Sequence, residues 1–381
     1  MRDSGVMYEI HLIQNFAPSN LNRDDTNQPK SAHFGGVRRA RISSQCIKRA
    51  VREWWRANNQ VTLGDRTKRL QQLIMERLQK EVQYDETELR EAVREFTKQY
   101  YSGVADGANE ITKVLLFVSP DEVETCANAI KELWPNIEKK ENIEKQIKKS
   151  QSSADIALFG RMLAEHPELN TDGACQVAHL ISTHKVDMEM DFFTAVDDLN
   201  PAEETGAGMM GIVGFNSACF YRYALLDCDQ LARNLSGKTE RENSAWVEEL
   251  TEDDYVEADK VIRSFLEAMV FAIPTGKQRS FAAQNLPSFG LFIRRKGGVP
   301  VSLANAFATP VRSTRNDEDI IGLSVHALSS YWSDLRRVYG NQGIQAISCF
   351  HVGQESRLGE LREADKGSVE AAIEAVMRWV D

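Results

Sequence analysis

Two stretches of period-two hydrophobicity, separated by about a hundred residues of helical period, are the strongest constraint on this chain. In "VMYEIHLIQNF" the residues Val6, Tyr8, Ile10 and Leu12 alternate with their neighbours, which predicts a first strand. The β pattern returns in "CQVAHLISTHKVDMEMDFF", and "IVGFNSACFYRYALL" (212–226) reads as its antiparallel partner. Between them, residues 61–168 carry "RTKRLQQLIMERLQKEV", "DETELREAVREFTKQYY" and "PDEVETCANAIKELW", three charged amphipathic helices, with "EKKENIEKQIKKS" as a fourth. This block reads as a helical insertion. A short helix is predicted from about Gln45 to Arg56, with Ser43 and Ser44 as caps and Ile47, Val51 and Trp54 on its apolar face. Downstream come "DDYVEADKVIRSFLEAMVFAI" as a helix, "SFGLFIRRK" as a strand, and two closing helices near 318–339 and 355–380.

With the helical block set aside, the order is β-α-β-β-α-β, the ferredoxin-like or RRM order. The expected class is α+β: an open antiparallel sheet backed by helices, a scaffold often used to hold single-stranded RNA.

Charge singles out one region. The chain has 56 Asp+Glu against 46 Lys+Arg, a net −10, yet residues 22–52 hold eight Lys or Arg and two Asp. An acidic body with one basic segment does not coat nucleic acid indiscriminately, but it can hold one phosphate backbone along a defined groove. Lys48 and Arg52 are four apart, with Arg49 beside them, so one helix face gathers cations. The same helix opens at Ser43-Ser44-Gln45, where unpaired N–H groups and the positive dipole end favour phosphate. Arg38, Arg39 and Arg41 add charge from the extended segment before it.

Other motifs carry less. No run approaches the ~20 apolar residues of a membrane span, and the N-terminus lacks a signal-peptide pattern, so a cytoplasmic protein is expected. Six scattered cysteines without a C-x-x-C pair argue against a zinc site or a disulfide framework, and His179 and His184 are read as structural. No metal or cofactor is expected. "GAGMMG" (206–211) matches G-x-G-x-x-G but lacks the preceding strand and following helix of a dinucleotide site, so it reads as a hairpin tip. Asp24 and Asp25 in "NRDD" are the best candidates for an enzyme, a metal-dependent ribonuclease, although turn formation is the commoner role of such residues. Lys145, Lys148 and Lys149 form a basic face on the fourth helix of the insertion.

The segment "SNLNRDDTNQPKSAHFGGVRRARISSQCIKRAVR" closely resembles the N-terminal signature of the CasC (Cse-type) backbone subunits of type I-E CRISPR Cascade. "DIALFGRM", "THKVDMEMDFFTAVDDL", "FYRYA", "GKQRSFAAQN" and "SLANAF" extend the resemblance along the whole chain. It implies an RRM-like palm (1–60, 169–185 and 216–381), a helical fingers insertion (61–168) and a β-hairpin thumb (186–215). It further implies a non-catalytic subunit, several copies of which form a helical filament along one CRISPR guide RNA. The other implied partners are the large, small, guide-processing and 5′-end-capping subunits, and target DNA. By this resemblance Asn22, Arg23, Lys30, Ser43, Gln45, Lys48 and Arg52 line the palm groove on the guide's phosphates, with Arg38 adjoining. Lys277 and Arg279 extend the groove, and Met162 packs on bases near a kink. Phe193, Thr194, Met209 and Met210 belong to the thumb, while Lys145, Lys148 and Lys149 match a helix that touches target DNA. Cys46 stands where a small hydroxyl residue is usual, and Phe192 where tryptophan is familiar.

Overall fold

The computed structural model describes residues 4–80, 85–103, 111–138, 140–196, 207–243, 245–314, 319–341 and 343–379. Two compact units are interleaved along the sequence. One comprises Met7–Trp54, Val177–Leu225 and Phe265–Asp381; the other comprises Met1–Val6, Trp55–Gln176 and Leu226–Ser264. The second therefore holds the helical block together with Leu226–Ser264, a segment that the sequence boundaries kept with 216–381.

The first unit is organised by a large sheet. Its spatial order is Ile344–His351, Phe289–Lys296, Val6–Ser19, Ala207–Asp227, Leu180–Ser182, Val37–Ile42 and Ser31–Phe34. The first strand is buried on both faces, not one: Tyr8, Ile10 and Leu12 lie inside, and so do Glu9, His11 and Ile13. The polar members of that second face satisfy one another. Arg295 Nε donates to Glu9 Oε1 (2.6 Å), His11 Nδ1 meets the Tyr221 hydroxyl (2.9 Å), and that hydroxyl accepts from Leu303 N (2.8 Å). Burial of charge is tolerated here because Arg295 and Glu9 are paired at hydrogen-bond distance. Around this network Ile13, Cys219, Phe289, Leu291, Phe307, Val325 and Trp332 form an apolar core.

The long strand Ala207–Asp227 serves two purposes. Its later part pairs with Leu180–Ser182 (Ile181↔Tyr221), while its earlier part pairs with Glu189–Val196 as a hairpin (Glu189↔Phe215, Phe192↔Ile212). Met209 and Met210 lie within this paired strand, opposite Ala195 and Thr194, rather than in the turn expected of "GAGMMG". Of the expected tip, 206–211, residues 207–211 belong to the strand, while Gly206 and the 197–205 segment before it lie outside the described residues.

The helical unit follows its start signals. Asp85 caps Glu86–Tyr100, accepting from Thr87 N and Glu88 N, and Ser119 forms a capping box with Glu122 ahead of Pro120–Leu133. Leu70–Leu78 and Glu141–Lys149 are the other two expected helices, and their apolar stripes meet at Leu70, Ile74, Leu89, Phe96, Cys126, Ile130, Ile143 and Ile147. Arg161 is pinned beneath them. It donates to Glu122 Oε2 (2.5 Å), to Phe117 O (2.9 Å) and to Leu169 O (2.8 Å), with both charged side chains buried.

Three sequence expectations are corrected. The basic helix runs Ser44–Asn58, and its apolar stripe is Ile47, Val51 and Trp55, because i+4 spacing from Val51 selects Trp55 over Trp54. A strand at Ile344–His351, unassigned from sequence, pairs antiparallel with Phe289–Lys296. The closing segment is not one helix but two short 3₁₀ turns followed by Val369–Met377, interrupted at Gly359 and Gly367, both with positive φ.

Candidate nucleic-acid interface

Three segments of the sheet unit enclose a groove of about 650 Å³: the loop after the first strand, the N-terminal half of the basic helix, and the segment Pro274–Lys277. Four cationic side chains line it (Arg23, Lys30, Arg49 and Lys277) against two acidic ones (Asp24 and Glu53).

The loop is ordered by Asp24. Asp24 Oδ1 accepts from Thr26 N (2.9 Å), Thr26 Oγ1 (2.7 Å) and Gln28 N (3.0 Å), an Asx turn. The Thr26 hydroxyl, then the Gln28 N–H, hold the Asp24 carboxyl below the ordinary carboxylate range. Backbone bonds Asp24 N to Gln28 O and Lys30 N to Asn22 O (both 2.9 Å) close the loop into a small hairpin. Asn27 turns the corner at φ 66°, and its side-chain oxygen accepts from Arg23 Nη1 (3.0 Å).

The loop is tied to the helix by Asn22, whose side-chain oxygen accepts from Ser43 N (2.8 Å). Ser43 stands at the helix start, and its carbonyl accepts from Cys46 N (3.0 Å). Gln45, Arg49 and Glu53, spaced four apart, form the helix face that lines the groove. Arg49 Nε donates to Glu53 Oε1 (2.7 Å), and Thr275 Oγ1 donates to Glu53 Oε2 (3.3 Å), which links the third segment to the helix. That segment comes so close to the loop that a Cβ at Gly276 would run into the Leu21 carbonyl. Lys277 follows in the left-handed region at φ 53°, unusual for a residue with a side chain. Burial raises the thiol of Cys46, within the groove, to a pKa of about 11.

The structure thus brings together Asn22, Arg23, Lys30, Ser43, Gln45 and Lys277. Others stand apart. Arg52 is 7% exposed and Lys48 half-buried, and neither lines the groove; the presenting face is one helical step round from the one inferred from sequence. Arg38 is exposed on its strand opposite His33, and Arg279 is exposed on the short helix Gln278–Phe281. Arg39 belongs to the core: it is fully buried and donates to Phe34 O (3.1 Å), Ser182 O (2.9 Å) and Phe307 O (2.7 Å). Arg49, Asn27, Glu53 and Thr275 join the groove without having been selected as site residues. For Arg49 and Glu53 the signal was the i+4 spacing from Gln45.

Phe193 and Thr194 sit on the hairpin opposite Gly211 and Met210, and the Phe193 ring lies over Gly211, so that a Cβ there would push the ring aside. Met162, in the helical unit, is 84% exposed immediately after the anchored Arg161. Two of the helical lysines are paired with acids of their own unit, Lys145 with Glu141 (2.9 Å) and Lys149 with Glu248 (3.4 Å), whereas Lys148 borders a polar pocket with Arg161 and Trp246. His184 is structural. Its Nδ1 donates to Lys185 O (2.9 Å), its Nε2 accepts from Cys219 N (3.1 Å), and burial holds its pKa below the ordinary histidine value. Asp25 is exposed beside the Asx turn, and among the described residues no group of three or more His, Cys, Asp or Glu is placed to hold a metal ion. No helix among the described residues is long and apolar enough to cross a membrane.

The groove can cradle an anionic backbone: cations from three segments line it beside the start of a helix, and hydrogen bonds order the polar loop. The chain is similar to several known proteins. The profile of the family described as "CT1975-like protein" matches residues 8–379. A chain of a "CRISPR RNA-guided surveillance complex, pre-nicking" aligns at a TM-score of 0.79 with 29% identity, covering 97% of this chain and 100% of that one. A chain of another "CRISPR RNA-guided surveillance complex" aligns at 0.61 with 26% identity, covering 97% and 98%. No curated protein matches.

Proposed function

The chain belongs to the CT1975-like protein family, and from that premise we propose that it is a non-catalytic, guide-RNA-binding backbone subunit of a type I-E CRISPR surveillance complex. Several copies line one guide RNA as a filament and present it for pairing with target DNA, beside the large, small, guide-processing and end-capping subunits, in the cytoplasm. The observation that carries the reading is the groove, which Arg23, Lys30, Arg49 and Lys277 line together with the start of a helix. These groups recognise phosphate and shape, leaving sequence to base pairing. The strand order supports an RRM-like palm, the pairing of Glu189–Val196 with Ala207–Asp227 supports a thumb, and the helices of 61–168 support fingers.

The rival is a metal-dependent ribonuclease using Asp24 and Asp25. The hydrogen bonding of Asp24 favours the non-catalytic reading, since one carboxylate oxygen already accepts three bonds that shape the loop. The deciding experiment is electron microscopy and mass determination of the protein with a CRISPR guide RNA and with a length-matched scrambled RNA. Multimers whose mass grows with RNA length support the backbone role. RNA that is cut when Mg²⁺ is added, and spared by Asp24→Ala or Asp25→Ala, establishes the nuclease instead.

A further inference from the structure

The groove and the long hairpin meet at one buried amide. Asn20 is 0% exposed, and its Nδ2 donates to two carbonyls: Asn27 O in the groove loop (3.0 Å) and Gly214 O at the hairpin base (2.9 Å). An amide oxygen cannot donate to a carbonyl, whereas the NH₂ has a proton for each, which fixes the orientation of the amide. Its oxygen is buried with no hydrogen-bond partner among the described residues, a cost that a residue serving only as filler would not carry.

The two carbonyls lie 187 positions apart in sequence and belong to different working parts. Asn27 lines the groove and holds Arg23 through its side-chain oxygen. Gly214 lies opposite Met190 at the foot of the hairpin, packed so closely on Gln28 that a Cβ there would collide with the Gln28 side chain. The next residue, Phe215, packs against Phe281 (centroids 5.8 Å apart), four residues beyond the groove residue Lys277. The hairpin is therefore held at its foot by the two segments that deliver Arg23 and Lys277. Farther out, Phe192, Ile212 and Met210 are exposed. A two-stranded ribbon is marginal by itself, so its direction is set where it is gripped.

We propose that Asn20 is a positioning residue that couples the groove to the hairpin, so that RNA bound in the groove orders the hairpin strands. This rests on the RNA-binding reading given above. An anion bound by Arg23 holds the guanidinium still, and with it the Asn27 corner to which Nη1 donates, and the shared Nδ2 transmits that order to Gly214. By linkage, a hairpin held in place strengthens RNA binding by the same factor.

The test is amide hydrogen exchange of the full chain with and without a single-stranded oligoribonucleotide of about six nucleotides, within the usual site size of single-strand binders. In the wild type, RNA should slow exchange in the groove loop and, by about tenfold, in Glu189–Val196 and its partner strand, a coupling within the ordinary range. In Asn20→Ala the loop should remain protected by RNA while the protection of the hairpin falls below about twofold. Asn20→Ser, whose single hydroxyl proton cannot serve both carbonyls as the NH₂ does, should uncouple in the same way and serves if the alanine variant does not fold. Equal RNA-induced protection of the hairpin in wild type and variants overturns the proposal, as does a wild type whose loop is protected while its hairpin is not. A wild type that binds no RNA, with neither region protected, overturns the RNA-binding reading itself.

Discussion

The groove's charge can be weighed by its salt dependence. Lys30 and Lys277 reach it from two different segments and are the cleanest pair to remove, because neither forms part of the Arg49–Glu53 ion pair. For single-stranded nucleic acid, log K falls with log salt by about 0.7 per phosphate neutralised, so Lys30→Gln with Lys277→Gln should flatten the slope by about 1.4. Over a fourfold change in salt, from about 50 to 200 mM, the affinity gap between wild type and variant should then narrow about sevenfold. Fluorescence anisotropy with a labelled single-stranded RNA across a salt series measures this directly. Lys48→Ala with Arg52→Ala is the control. Arg52 is buried and neither residue lines the groove, so that pair should leave the slope within error of wild type, whatever it does to stability. If the slope is unchanged in the Lys30/Lys277 variant and flattened in the control, the phosphate path runs along the other helix face and the groove assignment is wrong.

Three further outcomes are expected. Arg161→Met should destabilise the helical unit by about 3–5 kcal/mol, because it leaves buried Glu122 without its cationic partner; a change below ~1 kcal/mol in urea denaturation would show that the pair is solvated. Arg39→Met removes a guanidinium that serves three carbonyls and should lower stability by roughly 3–6 kcal/mol with no effect on the salt slope of RNA binding, and an altered slope would return Arg39 to the interface. His184 should make stability acid-sensitive. Its folded pKa is depressed by burial, so its contribution is complete above the unfolded value near 6.5 and is lost as pH falls below it, when the unfolded chain takes up the proton first. Urea midpoints between pH 8 and 5.5 should show that decline, reduced in His184→Gln; the same slope in both proteins would remove His184 as its source.

The local signals in the chain were sound wherever the structure rests on local chemistry. Asp85 and the Ser119–Glu122 box start helices where their spacing says they should, and the basic segment does form a helix. What sequence left open is decided by distant partners. Which cations share a groove depends on Gly276 lying against Leu21, more than 250 residues away, and no periodicity encodes that approach. The role of Arg39 is likewise set by carbonyls at 182 and 307. The strand Ile344–His351 lacks a clean alternation because half of it packs beneath helix and turn, and it is defined by its pairing with Phe289–Lys296. That the basic helix lines the groove with a face other than the one inferred from sequence has a simple cause. Lys48 and Arg52 form the more obvious charge pair, but burial of Ile47, Val51 and Trp55 fixes the rotation of the helix, and Arg49 is what then faces the groove.

The pairing of Arg41 with Ile181 also has a consequence for synthesis. These neighbours are 140 residues apart, so at about 5–20 residues per second the ribosome adds the second strand roughly 7–28 s after the first. Throughout that wait Val37–Ile42 has only Ser31–Phe34 beside it, with its other edge exposed. Meanwhile every member of the helical core, from Leu70 to Leu169, has already been made. The insertion can therefore collapse on its own contacts before the sheet is able to close, and the nascent sheet edge, rather than the helices, is where a chaperone would be needed.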